Sequence, residues 1–110
     1  MLESGHSDAF GLPMRAREQI VAVLSDYPEV INVTVFGSRA KGNYRPGSDI
    51  DLCLDAPELG MRRRLELENR LDDLLLPWKI DVLLRHEIDN PALIDHIARV
   101  GLAWLLPQGR

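Results

Sequence analysis

The apolar positions of the chain recur with two different periods. From residue 14 to about residue 26 they return every three or four positions, which is the period of a helix with one buried face. The same period runs from residue 57 to about 76 and from residue 90 to about 100, and prolines stand close to the ends of these segments. The pattern therefore predicts three amphipathic helices.

Three other segments are rich in β-branched and apolar residues and predict strands, namely residues 30–36, about 49–54 and 79–85. Residues 102–106 are also apolar and fit a short final strand. Because side chains alternate between the two faces of a strand, Asp49 and Asp51 share one face of the second strand, opposite its apolar residues. The order of helix, strand, turn, strand, helix, strand and helix predicts an α/β domain with helices packed on a small sheet.

The length of the chain, 110 residues, is that of one domain, which we place at residues 13–106. Residues 1–12 have little apolar content and predict a flexible N-terminal tail. The single cysteine cannot form an internal disulfide, which favours a reducing compartment. No apolar segment approaches the roughly 20 residues that cross a bilayer, and the first residues lack the features of a signal peptide. We therefore expect a cytoplasmic protein with no membrane association.

The charge balance argues against one class of function. The chain has 13 Lys and Arg against 17 Asp and Glu, which gives a formal net charge of -4. A general nucleic-acid binder needs a basic face in order to release counterions from phosphates. We therefore expect no general nucleic-acid binding, although a few local positive charges could still hold a small anionic ligand.

Asp49 and Asp51 are candidates for a metal site. Their side chains point to one face of the second strand, about 7 Å apart, and two unpaired carboxylates so close repel each other and resist burial. A divalent cation relieves that repulsion, and hard oxygen ligands suit Mg²⁺ or Mn²⁺. Taken alone, the pair fits a solvated polar turn better.

Asp81 strengthens the case for a metal. It stands in the middle of the third predicted strand, although Asp is a poor strand former. A helix connects the second and third strands, so these strands can be neighbours, and Asp81 would then face the same side as Asp49 and Asp51. Three converging carboxylates make a two-metal site reasonable. The alternative for Asp81 by itself is an ion pair with Lys79 or Arg85.

The turn after the first strand is a candidate phosphate-binding site. Gly37 lets a ligand approach the backbone, and Ser38 can open a short helical turn whose N–H groups, with the Ser38 hydroxyl, hold phosphate oxygens. Arg39 and Lys41 add positive charge beside them. A Gly-Ser pair alone is more often a plain loop, so the specificity lies in its combination with the carboxylates.

That combination resembles a known family. Gly37 and Ser38, ten further residues, then Asp49, Ile50 and Asp51, with Asp81 on a later strand, resemble the signature of the DNA-polymerase-β-like nucleotidyltransferases. More narrowly, residues 36–42 and 48–52 resemble the minimal nucleotidyltransferases, or MNT proteins. MNT proteins are often encoded beside a HEPN-domain protein, and many such pairs are toxin–antitoxin modules. The resemblance extends over residues 30–106 and implies the polymerase-β-like fold, with a small mixed sheet and packed helices.

The resemblance also implies roles for the candidate residues. Asp49 and Asp51 would bind the metal ions that hold a nucleoside triphosphate, and Asp81 would bind the catalytic metal and help activate the attacking hydroxyl as a base. Two Mg²⁺ ions are implied, with Mn²⁺ as a substitute, and ATP as the substrate.

The phosphate contacts follow from the same resemblance. Gly37 and Ser38 would hold the β- and γ-phosphates, and Arg39 and Lys41 would be auxiliary phosphate contacts. Lys41 stands where this family often has Arg.

The resemblance favours a Mg²⁺-dependent antitoxin that transfers AMP from ATP to a HEPN toxin partner, onto a tyrosine hydroxyl, and so neutralises it. The chain is too short for an obvious acceptor-binding domain, which points to a partner protein as the acceptor. Two alternatives stay open. The chain could neutralise its partner by forming a complex without catalysis, or it could transfer a nucleotide to the hydroxyl of a small molecule.

Overall fold

The computed structural model describes residues 9–104, and the helices and strands in this range follow the order that the hydrophobic pattern predicts. The helices are α1 (Met14–Ser25), α2 (Ser38–Lys41), α3 (Met61–Asp72) and α4 (Pro91–Val100). The strands are β1 (Asn32–Phe36), β2 (Ile50–Asp55), β3 (Ile80–Leu84) and β4 (Leu102–Ala103). Two single 3-10 turns, Ala9–Gly11 and Arg85–Glu87, complete the described elements.

The strands form one mixed sheet in the order β3-β2-β1-β4. β1 pairs antiparallel with both β2 and β4, whereas β2 and β3 are parallel. β2 and β3 can pair in parallel because α3 lies between them in the chain and returns the chain to the end of the sheet at which β2 began. The α/β fold with a small mixed sheet and packed helices is therefore confirmed.

One face of the sheet packs against α1 and α3 and forms the main core. The predicted apolar face of β2 is fully buried there, together with the apolar side chains of β1 and β3. The opposite face carries a smaller cluster, in which Phe36 and Cys53 pack against Ile97 of α4. Since alternation puts Asp51 on the same side as Cys53, the aspartates lie on the α4 side, where β1 ends and β2 and β3 begin.

The helix that was predicted to run from residue 57 to about 76 is shorter at both ends. Residues 56–60 form a turn instead of a first helical turn, because Leu59 N–H donates to the carbonyl of Ala56 and both side chains are buried. At the other end Leu75 has φ 55°, a left-handed conformation that cannot continue the helix. Asn90 caps the start of α4, since its side chain accepts a hydrogen bond of 2.9 Å from Ala92 N–H.

The predicted flexible tail needs a correction where the structure describes it. Residues 1–8 lie outside the described range, as do residues 105 and 106 at the predicted end of the domain. Residues 10–12, however, pack on the domain: Leu12 is fully buried, and the ring of Phe10 lies 5.3 Å from that of Trp104. Between residues 9 and 104, none of the helices combines the length and apolar character that a membrane span requires.

Candidate active site

The parallel pairing of β2 and β3 brings two of the predicted carboxylates together. Asp51 and Asp81 are direct partners in the register of the two strands, and both side chains are half-buried. Asp49 is exposed just before β2 begins, two residues from Asp51. The structure thus places two strand carboxylates side by side, with the third at the adjoining loop.

The three aspartates lie close enough for their negative charges to repel one another. The pKa of Asp51 is raised above its ordinary value, first by burial, then by the charges of Asp81 and Asp49, and by the hydrogen-bond approach of Asp81. Lys79 reaches Asp81 at 3.6 Å, but its side chain is 74% exposed, so this ion pair neutralises little of the charge. The site favours a bound cation because a cation would relieve the repulsion.

The carboxylates do not form a closed cage for an ion. Within residues 9–104, no three Asp, Glu, His or Cys side chains converge closely enough to enclose a metal by themselves. Mg²⁺ bound with a nucleotide takes only one or two protein carboxylates and completes its coordination with phosphate oxygens and water. An open pair of oxygen donors, Asp51 and Asp81, with Asp49 beside it, therefore fits Mg²⁺ held jointly with a triphosphate.

Gly37 joins the turn to the carboxylates. It has φ 74°, a left-handed conformation that favours glycine, and any Cβ at this position would overlap the Oδ2 atom of Asp51. Ser38 then begins α2, and the first N–H groups of a helix have no partner within it. The missing side chain of Gly37 thus lets the Asp51 carboxylate lie directly against the start of α2, where phosphate oxygens could also bind.

Arg39 does not fit its predicted role as a phosphate contact. Its side chain is 2% exposed, and its guanidinium donates to the backbone carbonyls of four residues. These acceptors are Phe10 (3.0 Å), Gly11 (3.4 Å), Pro46 (3.3 Å) and Ser48 (3.0 and 3.1 Å). Burial lowers the pKa of the guanidinium from its ordinary value. The side chain is committed to carbonyl oxygens and cannot reach a nucleotide in this conformation.

Lys41 lies on the surface at the last position of α2, about one helical turn from Ser38. A flexible ammonium at this position can reach an anion in solvent. Its role as an auxiliary phosphate contact stays a prediction.

Sequence reasoning did not predict that two aromatic residues contact Arg39. The guanidinium carbon lies 5.0 Å from the ring centre of Tyr44 and 5.5 Å from that of Trp78. The indole N–H of Trp78 also donates to the carbonyl of Pro46 at 2.8 Å. The sequence gives no signal for the contacts of Trp78, because it is far from Arg39 and Pro46 along the chain and its hydrogen bond is accepted by a backbone carbonyl.

Comparison with known proteins identifies the family of the chain. Residues 18–103 match the family model described as polymerase beta, nucleotidyltransferase. A protein of Methanocaldococcus jannaschii, MJ1217, is 36% identical over 70 residues, which cover 63% of this chain and 70% of the relative. The name of that relative proposes a protein adenylyltransferase.

Solved structures share the fold. One is described as a toxin–antitoxin with AMP-PNP; it has a TM-score of 0.67 and 24% identity, and the match covers 84% of this chain and 74% of the other. Another is a tri-AMPylated Shewanella oneidensis HEPN toxin in complex with MNT antitoxin, with a TM-score of 0.63, 22% identity and coverage of 86% and 73%. The family match spans most of the chain, and the chain therefore belongs to the polymerase-β-type nucleotidyltransferase family.

Proposed function

We propose that this nucleotidyltransferase is a Mg²⁺-dependent antitoxin that transfers AMP from ATP to a tyrosine hydroxyl of a HEPN toxin. The observation that carries the chemistry is the register of β2 and β3, which pairs Asp51 with Asp81 beside the glycine turn. Support for the acceptor comes from the relatives. One is named for protein adenylylation, and the fold is shared with an MNT antitoxin bound to an AMPylated HEPN toxin.

The residues divide the work between metal and phosphate. Asp49, Asp51 and Asp81 would hold Mg²⁺, which when bound supplies positive charge to the phosphate oxygens and leaving group. The N–H groups at Gly37 and Ser38, with the Ser38 hydroxyl, would bind the β- and γ-phosphates.

The reaction is an in-line displacement at the α-phosphorus of ATP. A new bond forms between the acceptor oxygen and the α-phosphorus, while the bond from that phosphorus to the bridging oxygen of the β-phosphate breaks. Pyrophosphate leaves with this electron pair. The proton of the acceptor hydroxyl passes to the carboxylate of Asp81, which is 42% exposed on the open side of β3 and so accessible to an incoming hydroxyl.

Transfer is tested by incubating the protein with ATP, Mg²⁺ and the product of the neighbouring gene, once it is identified as a HEPN-domain protein. Mass spectrometry of the intact partner should show added adenylyl groups, and peptide analysis should locate them on tyrosine. Asp51→Asn and Asp81→Asn should each abolish the addition. Asp26→Asn is the matched control. Asp26 lies at the end of α1, where its exposed carboxylate pairs with Arg70 of α3, so this substitution should leave transfer unchanged. An unmodified partner in the presence of the wild-type protein would refute the proposal.

The same variants separate catalysis from complex formation. If transfer neutralises the toxin, Asp51→Asn should still bind the partner but no longer protect cells that express it. Full protection by this variant would instead assign the neutralisation to the complex alone.

A further inference from the structure

Arg39 lies at the junction of three separate segments of the chain. Its guanidinium donates to carbonyls at Phe10 and Gly11 before α1, and to carbonyls at Pro46 and Ser48 in the loop before β2. Trp78, at the start of the third segment, lies against the same guanidinium and donates to Pro46. One buried cation therefore ties the N-terminal segment, the loop before β2 and the residues before β3 to one another.

The tie ends directly next to Asp49. Both Nε and Nη2 of Arg39 donate to the carbonyl of Ser48, at 3.1 and 3.0 Å, and this carbonyl belongs to the peptide that precedes Asp49. The loop is closed further by two bonds between Arg45 and Ser48, one from Arg45 N–H to the Ser48 hydroxyl and one from Ser48 N–H to the Arg45 carbonyl. The peptide next to Asp49 is thus fixed on one side by a forked donor.

The sheet fixes only the peptide that follows Asp49, because Ile50 N–H donates to the carbonyl of Lys79 at 2.8 Å. The β2–β3 register begins at Ile50, so the side of Asp49 towards Ser48 lies outside the ladder, and the residue is exposed. The peptide that precedes Asp49 is therefore held by the loop, and in the loop by Arg39.

The groups that surround residue 39 explain why it is an arginine. A buried charge is costly unless its N–H donors have acceptors. The guanidinium of Arg39 is almost completely buried, but backbone carbonyls accept its hydrogen bonds, and the rings of Tyr44 and Trp78 lie beside it. Lysine would keep the charge, but its compact ammonium lacks the planar set of donors with which a guanidinium reaches several carbonyls at once.

We propose that Arg39 is a positioning residue that holds Asp49 in place as a metal ligand, with Trp78 as its second support. The inference rests on the proposed function only in that Asp49 binds the metal of that reaction. It assigns to Arg39 an effect on metal affinity that acts through the Ser48 peptide and not through contact with the nucleotide.

The test measures Mn²⁺ binding to the protein alone, by electron paramagnetic resonance, without nucleotide or partner. Asp49→Asn defines the part of the binding that depends on Asp49. Arg39→Lys should weaken this binding about 10-fold or more, the range typical of residues that support a metal ligand. Trp78→Phe, which removes the bond to Pro46 but keeps an aromatic ring at this position, should weaken it less. The Mg²⁺ concentration that half-saturates AMP transfer should rise in the same order.

Arg63→Lys is the matched control. Arg63 also makes a forked pair, with Glu29, and lies over an aromatic ring, that of Tyr27, but it does so on α3, away from the site. It should leave Mn²⁺ affinity unchanged. In Arg39→Ala, added methylguanidinium should restore the affinity, whereas it should have no such effect on Arg63→Ala.

Wild-type Mn²⁺ affinity in folded Arg39→Lys and Trp78→Phe would overturn the inference and leave Arg39 a stabilising residue only. If Arg39→Lys does not fold, Trp78→Phe decides, since the arginine is intact there. The proposed function fails separately: a wild-type protein that binds Mn²⁺ through Asp49 but modifies no partner would contradict AMP transfer and still support the role of Arg39.

Discussion

Gly37 is the single residue on which both parts of the site depend. A side chain here would meet the Asp51 carboxylate, and the left-handed φ of 74° is unfavourable for any residue with a Cβ. We expect Gly37→Ala to reduce AMP transfer about 100-fold, since small displacements of reacting groups have effects of this order. With ψ at -154°, this backbone conformation is almost confined to glycine, so the substitution should also lower the free energy of unfolding by about 1–3 kcal/mol.

Gly60→Ala is the control for this prediction. Gly60 precedes α3 at φ -76° with open space where a Cβ would stand, so the same substitution should leave transfer unchanged. Transfer by Gly37→Ala at the wild-type rate would contradict the geometry of the turn. Activity is measured as the initial rate of adenylyl addition, and stability by denaturant unfolding.

Asp51 should make the metal-free protein less stable at neutral pH. Its pKa is raised in the folded state by burial and by neighbouring carboxylates, so the folded protein binds this proton more tightly than the unfolded chain does. Stability from this group is therefore present at low pH and is lost as pH rises through the folded pKa. Asp51→Asn should raise Tm at pH 7 without metal, and the difference should vanish below the ordinary pKa of 3.8.

Metal ions should reverse this effect. Mg²⁺ or Mn²⁺ should raise the Tm of the wild type and have much less effect on Asp51→Asn, because ligands that bind only the folded state stabilise it. A variant that is less stable than the wild type at pH 7 in chelator would show that Asp51 is not electrostatically strained. Thermal unfolding over a pH series, with and without metal, provides the measurement.

The sequence predicts some of these residues and not others for physical reasons. Alternation along strands is enough to put Asp51 and Asp81 on the polar face, because each is flanked by apolar residues that must be buried. Arg39 carries no comparable pattern. Its position in the motif suggests a phosphate contact. Only the tertiary structure shows that all three nitrogens of its guanidinium donate to backbone carbonyls.

At the level of elements, α3 is tied to the turn after α1 by a small polar network. Arg63 makes a forked ion pair with Glu29 at 2.9 and 3.0 Å and lies 4.4 Å from the ring centre of Tyr27. Tyr27 in turn donates its hydroxyl to Glu66 of α3 at 2.6 Å. The network therefore links α3 to the turn that follows α1.

Glu29→Gln should weaken this tie in a pH-dependent way. The pKa of Glu29 is lowered, chiefly by the hydrogen bond from Arg63, so its stabilisation is present above the ordinary pKa of 4.5 and is lost as pH falls through the folded value. The pair is partly exposed, so the expected cost at pH 7 is about 0.5–1 kcal/mol. Denaturant unfolding should show this difference at pH 7 and little or none at pH values well below 4.5. An equal difference at both pH values would contradict an ionic tie.

Element type is predicted more securely than element ends. The helical period of α3 is clear because its apolar residues face the core. Gly60 indicates an irregular first turn, but the sequence does not show that the turn, with Leu59 buried, will replace the helix up to residue 60. Likewise β1 begins at Asn32 and not at residue 30, although Val30 is a good strand former. Tertiary packing decides these positions.

At the level of the whole molecule, the domain begins earlier than its composition suggests. Leu12 is fully buried in the main core although the residues before it are rich in Gly and Ser. Leu12→Ala should therefore lower the free energy of unfolding by about 2–5 kcal/mol, as buried Leu→Ala substitutions do. The few apolar side chains of this segment show no helical or strand period, which is why the sequence alone places Leu12 in a tail.

Leu75→Ala is the matched control, because Leu75 is 87% exposed and should change stability by no more than about 0.5 kcal/mol. Denaturant unfolding of both variants at one pH tests the comparison. Equal effects would mean that the segment before α1 does not belong to the cooperative unit.

A nucleotidyltransferase transfers the nucleotide and not the terminal phosphate of its substrate. ATP labelled either at the α- or at the γ-phosphate, supplied with Mg²⁺ and the proposed HEPN-domain partner, tests this directly. We expect the α label to become covalently attached to the partner, the γ label to remain unattached, and pyrophosphate to be released in equal amount. Attachment of the γ label, or of neither label, would contradict it.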